Sequence, residues 1–83
     1  NQPFVRIPPF SVVGEVITIQ PTITGPFTVK EVGCFLDGVL VHTDTTTPFE
    51  CVVRTNQNNL SHIILVQAYD VYDNTGTASV AFQ

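Results

Sequence analysis

The stretch "AYDVYDNTG" gathers Asp70, Asp73 and Asn74 within five residues and sets Tyr72 among them. Oxygen-rich groups at this spacing suit two kinds of chemistry. One is calcium, a hard cation that takes 6 to 8 oxygen ligands and would draw on Asp70, Asp73, Asn74 and a loop carbonyl. The other is a sugar, with Tyr72 stacking on a ring and the polar groups reading its hydroxyls. A plain turn explains the same residues, because Asp and Asn side chains accept nearby backbone N–H bonds and tolerate left-handed backbone. Only two carboxylates stand close together, which favours the turn and leaves calcium as the lesser expectation.

Other reactive side chains are scattered. Cys34, His42, Cys51 and His62 alternate along the chain without the short paired spacings of zinc sites, so no metal site is expected. Ser61 and His62 are neighbours. On an extended chain they point to opposite faces and cannot act as nucleophile and base. No catalytic residues are assigned, and the chain is not expected to be an enzyme. His42 and Asp44 share a strand face and can pair at the surface. His62, opening a strand, is expected to bond a turn backbone.

These residues need elements to hold them, and composition bounds what those are. The 83 residues form one domain, 1–83, and are 43% hydrophobic and 12% charged, which is too apolar for a disordered segment. A net charge of -4, with Arg6, Lys30 and Arg54 as the cations, argues against nucleic acid and against an anionic membrane as partners. The longest aliphatic run, "IILV", falls far short of the roughly 20 residues a membrane span requires. The opening "NQPF" reads as a mature chain or an excised domain. Two cysteines permit either one disulfide or two buried thiols.

Apolar and polar residues alternate with a period of two from end to end. Strands are expected in "FVRI", "EVITIQPTIT", "TVKEVGCFL", "VLVHT", "FECVVRT", "HIILVQAY" and "TASVAF". Pro21 removes a ladder donor and must sit at an edge or a bulge. Asp37-Gly38 between apolar segments predicts a type I′ hairpin turn. No segment carries helical spacing of sufficient length. An all-β, antiparallel sandwich of about seven strands follows.

The strings "VGCFLDGVLVHTDTTTPFECVVRT", "NLSHIILVQAYD" and "DNTGTASVAF", in this order, resemble the bacterial immunoglobulin-like domains of secreted adhesins and polysaccharide-degrading enzymes. The resemblance implies an immunoglobulin-like sandwich and a non-catalytic accessory module, a spacer or docking domain, in a secreted or cell-surface protein. The alternative it leaves is a carbohydrate-binding module or small lectin. Cys34 and Cys51 stand where the family usually carries aromatics; if both strand faces point inward the sulfurs can meet as a disulfide. No cofactor is implied beyond the calcium alternative.

Ile64, Val66 and Ala68 match inward positions of the family, which sets Ile63 and Leu65 outward. Phe35 holds the outward phase of the neighbouring strand. Together with Tyr69 they are expected to form an exposed apolar stripe that meets a neighbouring domain or protein. Self-association through this stripe is a third, less favoured expectation. Asn59-Leu60-Ser61 is an acceptor pattern for N-glycosylation.

Overall fold

Prolines and left-handed turn residues decide where the alternating pattern breaks into strands. The computed structural model describes residues 2–55 and 61–82. Nine strands follow in order: β1 (Phe4–Arg6), β2 (Ser11–Val13), β3 (Val16–Ile19), β4 (Thr22–Thr24), β5 (Val29–Leu36), β6 (Val39–Asp44), β7 (Cys51–Arg54), β8 (His62–Asp70) and β9 (Thr75–Phe82). All pairings are antiparallel. One sheet has the order β6-β5-β8-β9; opposite it lie a three-stranded ladder β2-β3-β7 and a two-stranded ladder β1-β4.

The nine segments are the seven expected strands, one of them broken in two, with β2 added. Pro21 separates β3 from β4, at the interruption its missing N–H demands. Pro8 and Pro9 likewise part β1 from β2, and β2 was not anticipated because three residues after two prolines carry too little alternation to read. Phe4 faces Thr24 while Ser11 faces Thr18, a slip of one residue. The Pro8–Pro9 step absorbs it. Val5 and Ile7 pack toward the core before the step, and Phe10 after it, so the inward phase changes from odd to even numbers.

The core lies between the layers. Ile17, Ile19, Cys51 and Val53 come from one side, and Val32, Cys34, Ile64, Val66 and Ala68 from the other, all with no solvent exposure. Their alternation along each strand is what a half-buried sheet requires. Cys34 and Cys51 form a disulfide with Cα atoms 5.9 Å apart, joining β5 to β7 across the sandwich. The expected bridge is present.

At the β5–β6 hairpin, Asp37 and Gly38 adopt φ of 50° and 86°, the left-handed pair of a type I′ turn. Leaving β6, the chain crosses to the other layer under the control of Asp44. Its Oδ1 accepts from the Thr46 amide at 3.0 Å and its Oδ2 from the Glu50 amide at 2.9 Å. The amide bonds and nearby His42 hold the Asp44 carboxyl below its ordinary pKa, the Thr46 bond contributing most. Asp44 thus spends its oxygens on the Thr46 and Glu50 amides and the Thr46 hydroxyl rather than on the ion pair expected with His42.

The body measures 39 × 20 × 19 Å. Pro3 lies against Gly25 and Gly76, near the turn between β8 and β9. Phe82 pairs with His62, beside the Asp37 turn. Residues 3 and 82 therefore lie beside opposite ends of β9.

Candidate functional site

The turn between β8 and β9 settles how Asp70 is used. Asp70 is 1% exposed. Its Oδ1 accepts hydrogen bonds from the amides of Tyr72 at 2.8 Å and Asn74 at 2.9 Å, and its Oδ2 from Asn74 Nδ2 at 2.9 Å. A carboxylate offers about four acceptor positions, so three are taken by the turn itself. Burial opposes ionisation here, yet the bonds from Asn74 and Tyr72, with Lys30 nearby, prevail and hold the pKa below the ordinary value. The main chain closes the same loop, with the Asp73 amide donating to the Asp70 carbonyl at 3.0 Å.

Asp73 does something different. Its φ of 63° places it in the left-handed region, as the turn reading expected, and its side chain pairs with Lys30 of β5. That bond is the main reason the Lys30 pKa is raised. The two carboxylates therefore serve separate partners, one inward and one outward. Among the described residues no group of three or more His, Cys, Asp or Glu gathers around a common point. Tyr72 is 67% exposed and meets Phe27 edge-on, with ring centroids 4.7 Å apart at 69°. Sequence reading missed Phe27, whose loop is tied to the turn by the Val71 amide donating to the Thr28 carbonyl at 2.9 Å.

At the opposite pole His62 meets a side chain of the β5–β6 turn. His62 Nδ1 lies 2.7 Å from Asp37 Oδ2, while Asp37 Oδ1 accepts the Ile63 amide at 2.9 Å. These contacts, His62 first, lower the Asp37 pKa. The Asn59-Leu60-Ser61 pattern begins outside the described residues.

The outer face of the four-stranded sheet is apolar but not the fully exposed stripe expected. Leu40, Phe35, Leu65 and Ser79 stand in one cross-strand row. Behind the row lies Gly33, where an added Cβ would meet Leu40 Cδ1 at 3.4 Å, Phe35 Cε1 at 3.5 Å and Tyr69 Cε2 at 4.0 Å. These side chains fold over the bare glycine. Phe35, Leu65 and Tyr69 are consequently half-buried, while Ile63 and Leu40 remain 53% and 54% exposed. Leu40 escaped the sequence reading because a bulge between Cys34 and Phe35 shifts the register of β6.

The model of the bacterial Ig domain family matches residues 9–80. The chain belongs to this family. Comparison with curated proteins found no significant match. Among solved structures, the Ig domain is similar to the fibronectin(III)-like modules of Clostridium thermocellum CbhA, with a TM-score of 0.75 at 23% identity. The alignment covers 93% of this chain and 91% of that one. At this identity the likeness speaks to the fold, and it agrees with the two opposed antiparallel layers described above.

Proposed function

We propose that the domain is a non-catalytic spacer and docking module of a secreted or cell-surface multidomain protein of the adhesive or carbohydrate-active kind. The placement of residues 3 and 82 beside opposite ends of β9 carries this reading. A chain that enters beside one end of a long strand and leaves at the other holds its neighbours apart by about the length of that strand. The inter-layer disulfide stiffens the separator and suits an oxidising compartment. The apolar outer face around Ile63 and Leu40 is the surface on which a neighbour rests.

Inserted between two folded reporter domains, the module should give one narrow distribution of inter-domain distances by energy transfer. A broad distribution like that of a flexible linker would overturn the spacer role. Docking predicts that a flanking domain added in trans shifts resonances around Ile63, and that Ile63→Glu abolishes those shifts.

A second reading, a glycan-binding module, is favoured by the exposed Phe27–Tyr72 pair beside Asp73 and Asn74. Calorimetric titration with polysaccharides, with and without calcium, separates the two. The spacer gives no saturable heat and tolerates Tyr72→Ala. A lectin gives heat that this substitution removes.

A further inference from the structure

An aspartate placed just before a glycine can react with its own main chain, because a glycine nitrogen has no Cβ beside it to hinder approach. Asp37 is the one aspartate of the chain followed by glycine. Asp37 and Gly38 make up the whole loop between β5 and β6, and both hold positive φ. An added Cβ at Gly38 would meet nothing within 4 Å, so the space beside it is open. The Asp37 side chain is itself 48% exposed, within reach of water.

Yet this carboxylate is held by both of its oxygens. Oδ2 accepts from His62 Nδ1 at 2.7 Å and Oδ1 from the Ile63 amide at 2.9 Å, while the Asp37 amide donates to the Ile63 carbonyl at 2.9 Å. Asp37 thereby continues the β5–β8 ladder one step beyond Leu36↔Ile64, with a side-chain oxygen standing in for a main-chain one. His62 is backed by Phe82, their ring centroids 5.6 Å apart, and its side chain is only 12% exposed. The bonds from His62 and then Ile63 hold the Asp37 carboxyl below its ordinary pKa and so keep it ionised. An ionised carboxylate has no hydroxyl to lose as water.

We infer that Asp37-Gly38 is a latent isomerisation site, which His62 and the Ile63 amide hold shut in the folded domain. In the reaction the Gly38 nitrogen attacks Asp37 Cγ. A C–N bond forms, the amide proton and the carboxyl hydroxyl depart together as water, and a five-membered succinimide results. Water then opens the ring at one carbonyl to restore aspartate, or at the other to leave isoaspartate, whose main chain runs through Cβ and Cγ. One water leaves and one returns, and nothing is oxidised or reduced. Whichever side-chain oxygen departs, one of the two bonds must break first. Isoaspartate adds a main-chain atom to a two-residue loop, which then no longer fits the turn that sets Leu36 against Val39. Modification therefore loosens the β5–β6 hairpin.

The test is prolonged storage of the whole chain at neutral pH, folded and, as reference, reduced and unfolded in guanidinium chloride. Peptide mapping by chromatography and mass spectrometry then separates isoaspartate from aspartate at position 37. The unfolded chain should form isoaspartate at least about tenfold faster than the folded wild type, whose reacting atoms are kept from attack. His62→Phe keeps a ring against Phe82 but lacks the donor, and should react several times faster than the wild type while still folded. His62→Gln retains an N–H donor and should stay near the wild-type rate. Thermal melts show that each variant folds. Deamidation of Asn74, in the turn at the other end of β8, should be the same in all three and reports any general loosening. Equal rates in folded and unfolded wild type overturn the proposal, as does an unfolded chain that forms no isoaspartate. A folded His62→Phe as slow as the wild type overturns it too, and so does one in which Asn74 deamidates faster in step.

Discussion

The two layers of the sandwich are built to different standards. The four-stranded sheet has strands of six to nine residues and bears two register irregularities, one in the β5–β6 pairing and one in the β5–β8 pairing. The opposing layer is made of segments of three or four residues, broken by prolines on two arms. Short ladders have few hydrogen bonds to act together, so the broken layer depends on what ties it to the continuous one. Two ties are the Cys34–Cys51 bridge and the Asp44 bonds that guide the crossover. The difference teaches that one layer is the frame and the other is held against it.

Removing the bridge should break the comparison most severely. A 17-residue separation corresponds to about 3 kcal/mol of loop-closure stabilisation. Reduction, or Cys34→Ala with Cys51→Ala, should lower the melting temperature by about 15 °C. Hydrogen exchange under these conditions should speed first in β2, β3 and β7. Equal acceleration in both layers would mean that neither acts as a frame.

Gly76→Ala comes next. An added Cβ would sit 1.8 Å from the Pro3 carbonyl oxygen, so the backbone of one layer or the other must move, at a cost of about 2 kcal/mol. Loss should appear as a lower denaturation midpoint, with the β1–β4 amides exchanging early. A smaller contrast comes from Ile17→Val and Ile64→Val, each deleting a methylene from a site with no exposure, at about 1 kcal/mol. The fragmented layer relaxes more readily around a void. Ile17→Val should therefore cost less than Ile64→Val in urea titrations.

Acid should act on the ties themselves. Asp37, Asp44 and Asp70 all have lowered pKa values, so near the ordinary carboxylate pKa the unfolded chain binds more protons than the folded one. Their stabilisation is complete above that value, about 3.9, and is lost as pH falls through the lower folded values. Thermal melts between pH 5 and pH 2 should show this decline. Asp70→Asn should flatten it. Lys30→Ala completes the series with a change within the scatter of repeat melts, since the Lys30–Asp73 pair is largely exposed and screened.

Legibility in the sequence followed the range of the physics. The Asp37-Gly38 turn could be read because two adjacent residues must tolerate positive φ, a property of those residues alone. Pro21 was readable as an interruption because its missing donor is likewise its own. The outer cluster was read only in part: Phe35, Ile63 and Leu65 were placed on the correct face, but Leu40 and the bare surface of Gly33 were not. Those depend on a bulge that no local pattern announces. Asp70 was assigned to a turn from residue type, whereas its near-complete burial needed β5, β8 and the Thr28 loop to close around it.

By itself the sequence determined an all-β chain, the inward and outward phase of its longer strands and its hairpin turn. The tertiary structure alone decided that the two sulfurs meet, that Pro3 lies against Gly76, that Phe27 finds Tyr72, and that β9 ends its sheet. Backbone propensity and alternation act over a few neighbouring residues. Contacts between layers depend on how whole sheets are placed, and that placement sums packing from residues far apart in the chain.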